Sequence, residues 1–481
     1  MDDKSLETLA LIKAQTAGIT SGTGIVGVDL GDLVSLIPVN TPFLDSAPRK
    51  AATDGAKFCQ WRVLTNINNL QADPGTAFDY AAPLALLNEL DVSAPYGKLG
   101  YGYTVTEDAI SFAKNYADAH AIAVMNAMNQ YKIGADRKLL GGQVFALPTP
   151  TAPTTATATT GGTVAANTYL IKVAARTMSN FNYGGSTIAS AAGSQVTTGA
   201  TSTLTATWPS IPGAVAYDIY VNGFYTTTTT VNKYVWTTTP PASNQAVPNI
   251  PGIYGTAPTA VPVADSSAKA TDFNGLLATL AGDYATGGAT GLVTRGSGTS
   301  SGATFQTLGG AAFTASGQSI NELDALNSAL FNNIQASPTR YLMSSQEANS
   351  ISKLLLSTAG GGTTFLTPNG SGRNNIEAGG YIGSYINKAA GGIPVPLIVE
   401  PNLAPGTLIA LSDSGAPFAG ANIANTLEVR DLRSVQDYQY ATNRASGAGG
   451  GPRNDGEVFS TSALINRAPV AFGVIQDIAA S

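Results

Sequence analysis

At 481 residues the chain has room for about two to four domains. Only 12% of its residues are charged, roughly half the usual ~25%, and 25 basic against 31 acidic residues leave a net charge of −6, which argues against a phosphate-neutralising nucleic-acid surface. A single cysteine (Cys59) and a single histidine (His120) exclude a disulfide framework, a Cys/His zinc site and a multi-histidine centre, so no metal or other cofactor is expected.

Residues 1–45 carry little amphipathic pattern and read as an extended arm. The acidic start Met1-Asp2-Asp3 lacks the basic end and apolar core of a signal peptide, and no run approaches the ~18 apolar residues of a membrane span. A soluble protein made in a cytoplasm is therefore expected, with no membrane partner. Residues 46–82 read as a long hairpin: Ala56 to Leu64, a polar bend through Asn66 to Asn69, and an Asp73-Pro74-Gly75 turn. Such a ribbon cannot bury enough apolar surface alone and calls for a neighbouring subunit. Phe58 and Trp61 stand three apart and so face opposite sides of the ribbon; with Arg62 they are the expected assembly residues.

Residues 83–145 carry a long helix. Thr104 and Glu107 are spaced as a capping box, and Ile110, Ala113, Ala117, Val124, Met128 and Tyr131 recur on one stripe up to Gly141-Gly142. One helix of about 30 residues, ~45 Å long, is expected.

Residues 146–262 are different. Four charges stand in this block (Lys172, Arg176, Asp218 and Lys233), with proline-rich segments at both ends. Period-two alternation places Tyr169, Ile171 and Val173 on one strand face, Leu204, Ala206 and Trp208 on a second, and Tyr217, Ile219 and Val221 on a third before an Asn222-Gly223 turn. Nothing there reads as helical. A separate all-β sandwich is expected, its core formed by Tyr169, Ile171, Val173, Trp208, Tyr217, Ile219 and Val221, joined by its two linkers and removable without loss of the surrounding fold.

Residues 263–481 return to α+β character. Ser319-x-x-Glu322 and Ser344-x-x-Glu347 open helices, and Arg340–Met343, Leu397–Val399, Thr407–Leu411 and Ala471–Ile475 read as strands. Chemistry is sparse throughout. Gly22-x-Gly24-x-x-Gly27 has neither the strand nor the helix that a dinucleotide site needs. His120 reads as a helix-face histidine with a structural hydrogen bond, Cys59 as a packed thiol, and acid pairs such as Asp29/Asp32 and Glu428/Asp431 as solvated loop carboxylates. No catalytic residue is expected and the chain does not read as an enzyme. Asn369-Gly370-Ser371 is a sequon without consequence in a protein that is not secreted.

The order of parts (arm, long hairpin, long helix, α+β body, final strand) resembles the major capsid protein of tailed bacteriophages, Caudoviricetes, with the Hong Kong 97-type fold. Ile37-Pro38-Val39-Asn40-Thr41-Pro42-Phe43-Leu44 is similar to the passage from arm to extended loop, and Thr104 to Gly142 to the spine helix of the peripheral domain. Gly379-Gly380-Tyr381-Ile382-Gly383, Ile393-Pro394-Val395-Pro396 and Pro405 to Ser412 resemble the axial-domain strands, and Leu427 to Leu432 and Gly456 to Gly473 the closing strands of the peripheral domain. The middle block, Gly161 to Arg176 and Trp208 to Val221, looks like an immunoglobulin or fibronectin type III module.

The resemblance implies a non-catalytic subunit that self-assembles into hexamers and pentamers of an icosahedral shell in the host cytoplasm. Its place is then the virion capsid, around double-stranded DNA held without sequence-specific binding. A separate scaffolding protein and a portal are implied as partners, with the β-module projecting outward towards a glycan or a decoration protein. Lys50 and Lys57 are the loop lysines where some relatives cross-link; here they read as solvated or salt-bridging. The rival readings are a non-viral encapsulating shell protein, a secreted adhesin or surface-layer protein, and an enzyme with an appended carbohydrate-binding module.

Overall fold

A computed structural model describes residues 39–53, 55, 58–67, 87–113, 118–199, 202–246, 258, 260–281, 283–285, 288–289, 303–316, 319–358, 382–413, 425–440 and 453–480. All lie within one compact unit, Val39–Ser481. The Gly22-x-Gly24-x-x-Gly27 string, Asp29, Asp32, Lys57, the Asp73-Pro74-Gly75 turn, Pro248 to Gly252, Asn369-Gly370-Ser371 and Gly379 to Tyr381 fall outside the described residues.

The described chain opens with a one-turn helix, α1 (Pro42–Ser46), started by a proline at its first position. Strand β1 (Arg49–Ala51) follows. Strands β2 (Phe58–Ile67) and β3 (Leu87–Pro95) pair antiparallel as a two-stranded ribbon. The return strand of the hairpin thus begins beyond the expected boundary at 82. Strand β4 (Gly97–Thr106) follows after a single residue.

The long helix is not one uninterrupted element starting at Thr104. Thr104 stays in β4, the Thr106 hydroxyl accepts the Ala109 amide at 3.3 Å, and α2 (Glu107–Ala113) begins there. A second start follows at α3 (Ala119–Gly141), because the Asp118 carboxylate accepts the His120 and Ala121 amides at 2.9 and 3.1 Å.

The middle block forms β5 (Thr154–Ala158), β6 (Thr168–Thr177), a helix α4 (Met178–Tyr183), β7 (Gly193–Val196), β8 (Thr203–Thr207), β9 (Ala214–Val221), β10 (Phe224–Thr229) and β11 (Lys233–Trp236). The helix corrects the all-β expectation. Thr177 and Asn180 close a reciprocal capping box that starts it, too short to show as an amphipathic stripe. A sheet in the order β10-β9-β6-β7 faces a second in the order β11-β8-β5. Asn222 and Gly223 both take positive φ, 51° and 89°, in the tight turn between β9 and β10.

The remaining elements are α5 (Leu276–Ala281), the small pair β12 (Asp283–Ala285) and β13 (Gly288–Ala289), β14 (Thr304–Thr307), the pair β15 (Ala315–Ser316) and β16 (Ser319–Ile320), α6 (Asn321–Ile334), β17 (Arg340–Met343), α7 (Ser345–Thr358), β18 (Ser384–Asn387), β19 (Ile393–Val399), β20 (Leu408–Leu411), β21 (Leu427–Gln439), β22 (Arg453–Asn466) and β23 (Gly473–Gln476). Glu322 does not cap α6, since its carboxylate accepts from the Thr314 amide and hydroxyl. Ser344 does cap α7, accepting the Gln346 amide at 3.1 Å.

Two sheets organise this α+β body. One runs β1-β21-β22-β4, with α3 packed on β4 and β22. The other is six-stranded, β14-β23-β20-β17-β19-β18, and mixes parallel pairs (β14 with β23, β17 with β19) with antiparallel ones. One core extends from α1 and α3 to β20, β21 and β22; a second lies between α6, α7 and the six-stranded sheet.

The sandwich has its own core, in which Tyr169, Ile171, Val173, Leu204, Trp208, Tyr217, Ile219 and Val221 lie together, with Trp208 and Tyr217 edge to face at 5.4 Å. It is not joined to the body by linkers alone. Met178 and Phe181 of α4, with Val215 and Ala216 of β9, are buried in the core of the body. A side chain at Gly141 of α3 would collide with Met178. Clean excision of the block is therefore not what this packing supports.

Candidate assembly surfaces

The hairpin is the first candidate. In its register Phe58 lies opposite Pro95, Trp61 opposite Val92 and Arg62 opposite Asp91. Among the described residues its two strands pair only with each other. At its root Cys59 and Val92 are buried and Trp61 is half-buried, whereas Phe58 is 48% exposed, so the two aromatic residues sit on opposite faces in different surroundings. Burial pushes the Cys59 thiol up, against the lowering influence of Arg430 and a hydrogen bond with Tyr96. A thiol so held is packing, not a nucleophile.

The face of the first sheet turned away from α3 is the second candidate. Lys98 of β4, Arg433, Gln436 and Tyr438 of β21, and Glu457, Phe459 and Thr461 of β22 line a concavity of about 550 Å³ with Tyr440. Lys98 pairs with Glu457 at 2.5 Å and lies 4.6 Å from the centre of the Phe459 ring. Tyr438 and Tyr440 stack edge to face and are 55% and 37% exposed. On the helix side, His120 Nε2 is 3.4 Å from the Tyr103 hydroxyl and 3.3 Å from Gln439 Nε2, so the histidine joins α3 to two strands. Burial first, and then a hydrogen bond to Asp437, pushes the Tyr103 phenol up to about 12.

The third site is the root of the N-terminal segment. Asp136 of α3 and Glu400, just after β19, are both fully buried. Glu400 Oε2 accepts the Phe43 amide at 3.0 Å and Asp136 Oδ1 the Leu44 amide at 2.9 Å, so two carboxyls grip the start of α1. Asn402 closes the cluster, donating its side-chain amide to Asp136 at 2.8 Å and its main-chain amide to Glu400 at 3.1 Å. Burial, and then the charge of Asp136, pushes Glu400 up to about 8; burial also raises Asp136. Burial and the neighbouring carboxyl both disfavour ionising the two groups together. Residues 264 positions apart leave no local trace in the sequence.

The remaining acidic candidates are ion-pair partners. Glu428 bonds Arg430 at 2.7 Å and Arg467 at 2.6 Å, and Asp431 bonds Arg49 at 2.9 Å. Lys50 is exposed in β1. Two of the four charges in the middle block, Arg176 and Asp218, form a buried pair at 2.8 Å on the sheet face away from the sandwich core. The Thr228 hydroxyl donates to Asp218 at 2.6 Å, and the Arg176 side chain reaches the Asn180 carbonyl at 3.4 Å. Among the described residues no cluster of His, Cys, Asp and Glu could hold a metal ion, and no helix is long and apolar enough to cross a membrane.

No family model matches the chain, and no curated protein matches it. Solved structures do. Over 96% of this chain and 99% of the other, it is similar to a subunit described as the capsid of a native GTA particle, at 8% identity and a TM-score of 0.46. It is similar over the same shares to the cyanophage A-1(L) capsid, at 10% identity and a TM-score of 0.47. The SrpI encapsulin of Synechococcus elongatus PCC 7942 is similar at 9% identity and a TM-score of 0.40, over 96% of this chain and 95% of the encapsulin.

Proposed function

We propose that the chain is a major capsid protein: a non-catalytic subunit that tiles, as hexamers and pentamers, an icosahedral virion shell around double-stranded DNA. The observation that carries this reading is the β2–β3 ribbon. Each of its strands spends one whole edge on the other and leaves the second edge without a strand partner among the described residues. A two-stranded ribbon of that length is marginal in water, and a neighbouring subunit supplies the missing surface. The face of the first sheet that carries the exposed Tyr438 and Tyr440 offers such a surface. Many modest contacts of this kind close a shell because closure multiplies them.

In this reading the sandwich is an immunoglobulin- or fibronectin-like insertion on the outside of the shell. Support comes from its outer sheet. Thr154 of β5, Thr203, Thr205 and Thr207 of β8, and Val235 of β11 share the face opposite the buried Leu204 and Ala206, with Lys233 as its only charge. Such a face is poorly suited to packed DNA, which demands cations, and suits a glycan or a decoration protein. A separate scaffolding protein and a portal complete the proposed set of partners.

The test is assembly. Purified protein, alone and co-expressed with a candidate scaffold, is imaged by negative-stain microscopy, with closed shells or capsomers expected. A stable monomer at high concentration under every condition overturns the reading. A reconstruction with sandwich density inside the shell overturns the outward placement alone.

A further inference from the structure

Strand β4 is an edge. Its ten residues pair with β22 on one side; on the other, no strand and no main-chain hydrogen bond meets them among the described residues. Long, flat edges are ordinarily blunted by proline, a bulge or several charges, because bare amides and carbonyls recruit other strands. This one has no proline and one lysine, Lys98, and its ladder with β22 runs from Gly97 to Thr106 without a break in register. Gly102 is exposed, and a side chain there would meet nothing closer than 3.6 Å, whereas Gly100 is already required by Phe459 beside it. A glycine at such a place lets a second backbone come close.

Two consecutive hollows follow this edge between β4 and α3. One, of about 270 Å³, lies between Tyr101–Thr104 and the helix from Ala123 to Gln130. The other, of about 360 Å³, lies between Lys98–Tyr101 and the helix from Tyr131 to Lys138, and is closed by Tyr183 and Lys269. Its cations are unevenly balanced. Lys138 has Asp272 as its ion-pair partner, whereas Lys269 has no carboxylate in ion-pair distance among the described residues and feels Asp272 only from further off. Lys138 and Lys269 both lie over the Tyr183 ring, at 5.3 and 5.4 Å, and burial first, then the charge of Lys138, lower the Lys269 ammonium against the raising influence of Asp272. An anion delivered here relieves the crowding of two ammonium groups on one ring, in a chain that is otherwise net acidic.

We propose that the β4 edge and its groove along α3 form a strand-addition site for an extended acidic segment of another protein, with main-chain pairing along Gly97–Thr106 and carboxylates directed to Lys269. The inference stands on the groove alone and is independent of the shell reading.

The test uses the full, unassembled chain and a fluorescein-labelled peptide of about ten residues alternating Glu and Val, long enough to cover β4. Saturable binding by anisotropy is expected, with hydrogen exchange slowed at the amides of 97–106. Lys269→Glu weakens binding roughly tenfold while Lys269→Arg preserves it. A Lys/Val peptide that binds equally, a Lys269→Glu protein that binds unchanged, or unslowed amides at 97–106 overturns the proposal. So does slowing of those amides by the protein's own concentration with no peptide present, which makes a second copy the occupant.

Discussion

The side-chain amide of Gln476, at the end of β23, donates to the main-chain oxygen of Ile211 at 3.2 Å, across 265 positions of sequence. It thereby joins the six-stranded sheet of the body to the loop that leads into β9 of the sandwich. Together with Met178, Phe181, Val215 and Ala216 in the body's core, it makes the insertion a structural partner of the fold around it.

Phe181→Ala is therefore expected to destabilise the whole unit by about 3–5 kcal/mol, the usual cost of emptying a buried phenylalanine site. Chemical denaturation followed by two probes, fluorescence of Trp208 and Trp236 in a Trp61→Phe background for the sandwich and far-UV circular dichroism for the whole, checks it. Coincident, shifted transitions are the expected result. A shift confined to the fluorescence transition means that the sandwich folds independently of the body.

Removing one partner of the Arg176–Asp218 pair strands the other as a buried charge. Arg176→Met is expected to cost about 3–5 kcal/mol, and the double variant Arg176→Met/Asp218→Leu to recover most of that loss. Urea unfolding of the three proteins measures the difference. An equal loss in both variants assigns the cost to the Thr228 and Asn180 bonds instead of the stranded charge.

The grip on α1 is expected to weaken with alkali. Glu400 is raised to about 8, so the folded protein holds more protons than the unfolded chain between the ordinary carboxylate range and that value. Stability from this group is complete at the acid end and falls as pH climbs to about 8, where Glu400 becomes charged. Buried Glu347, Asp218 and Asp477 are raised too and slope the same way, so the informative quantity is a difference. Thermal unfolding between pH 5 and 9 (a span set by these groups) is expected to show a flatter profile for Glu400→Gln than for the parent, by a few kcal/mol of accumulated slope. Parallel profiles show that Glu400 titrates at its ordinary value.

Trp61→Ala is expected to lower the yield of assembled particles more than the unfolding midpoint of the free subunit, since a central aromatic residue dominates an interface when its burial is completed by a partner. Light scattering and denaturation on the same preparation separate the two effects. Equal losses place Trp61 in an ordinary core.

The sandwich strands were legible because alternation is local: Tyr169, Ile171 and Val173 declare their common face within five residues. Helix α4 was not, being a single capped turn that owes its burial to α3. Strand β3 was missed because Leu87 to Pro95 places Glu89 and Asp91 among its apolar residues. The acid pair and the Arg176–Asp218 bridge were illegible for a common reason. A buried charge looks in sequence like a solvated one, and only the tertiary fold brings Asp136 to Glu400 or closes the sheet over Asp218.

The pairing of β14 with β23, and of β1 and β4 with β21 and β22, sets a timetable. Strand β4 waits for Arg453–Ser462 before its ladder can form, and β14 waits for Gly473–Gln476. The named ladders of the sandwich all close within residues 154–236, and its further ties, Leu147 in its core and the Thr163–Thr238 bridge, are also made early. During synthesis its sheets can therefore pair while the first sheet still lacks β21 and β22 and the six-stranded sheet lacks every strand, leaving Met178 and Phe181 as a nucleus for the body to condense on.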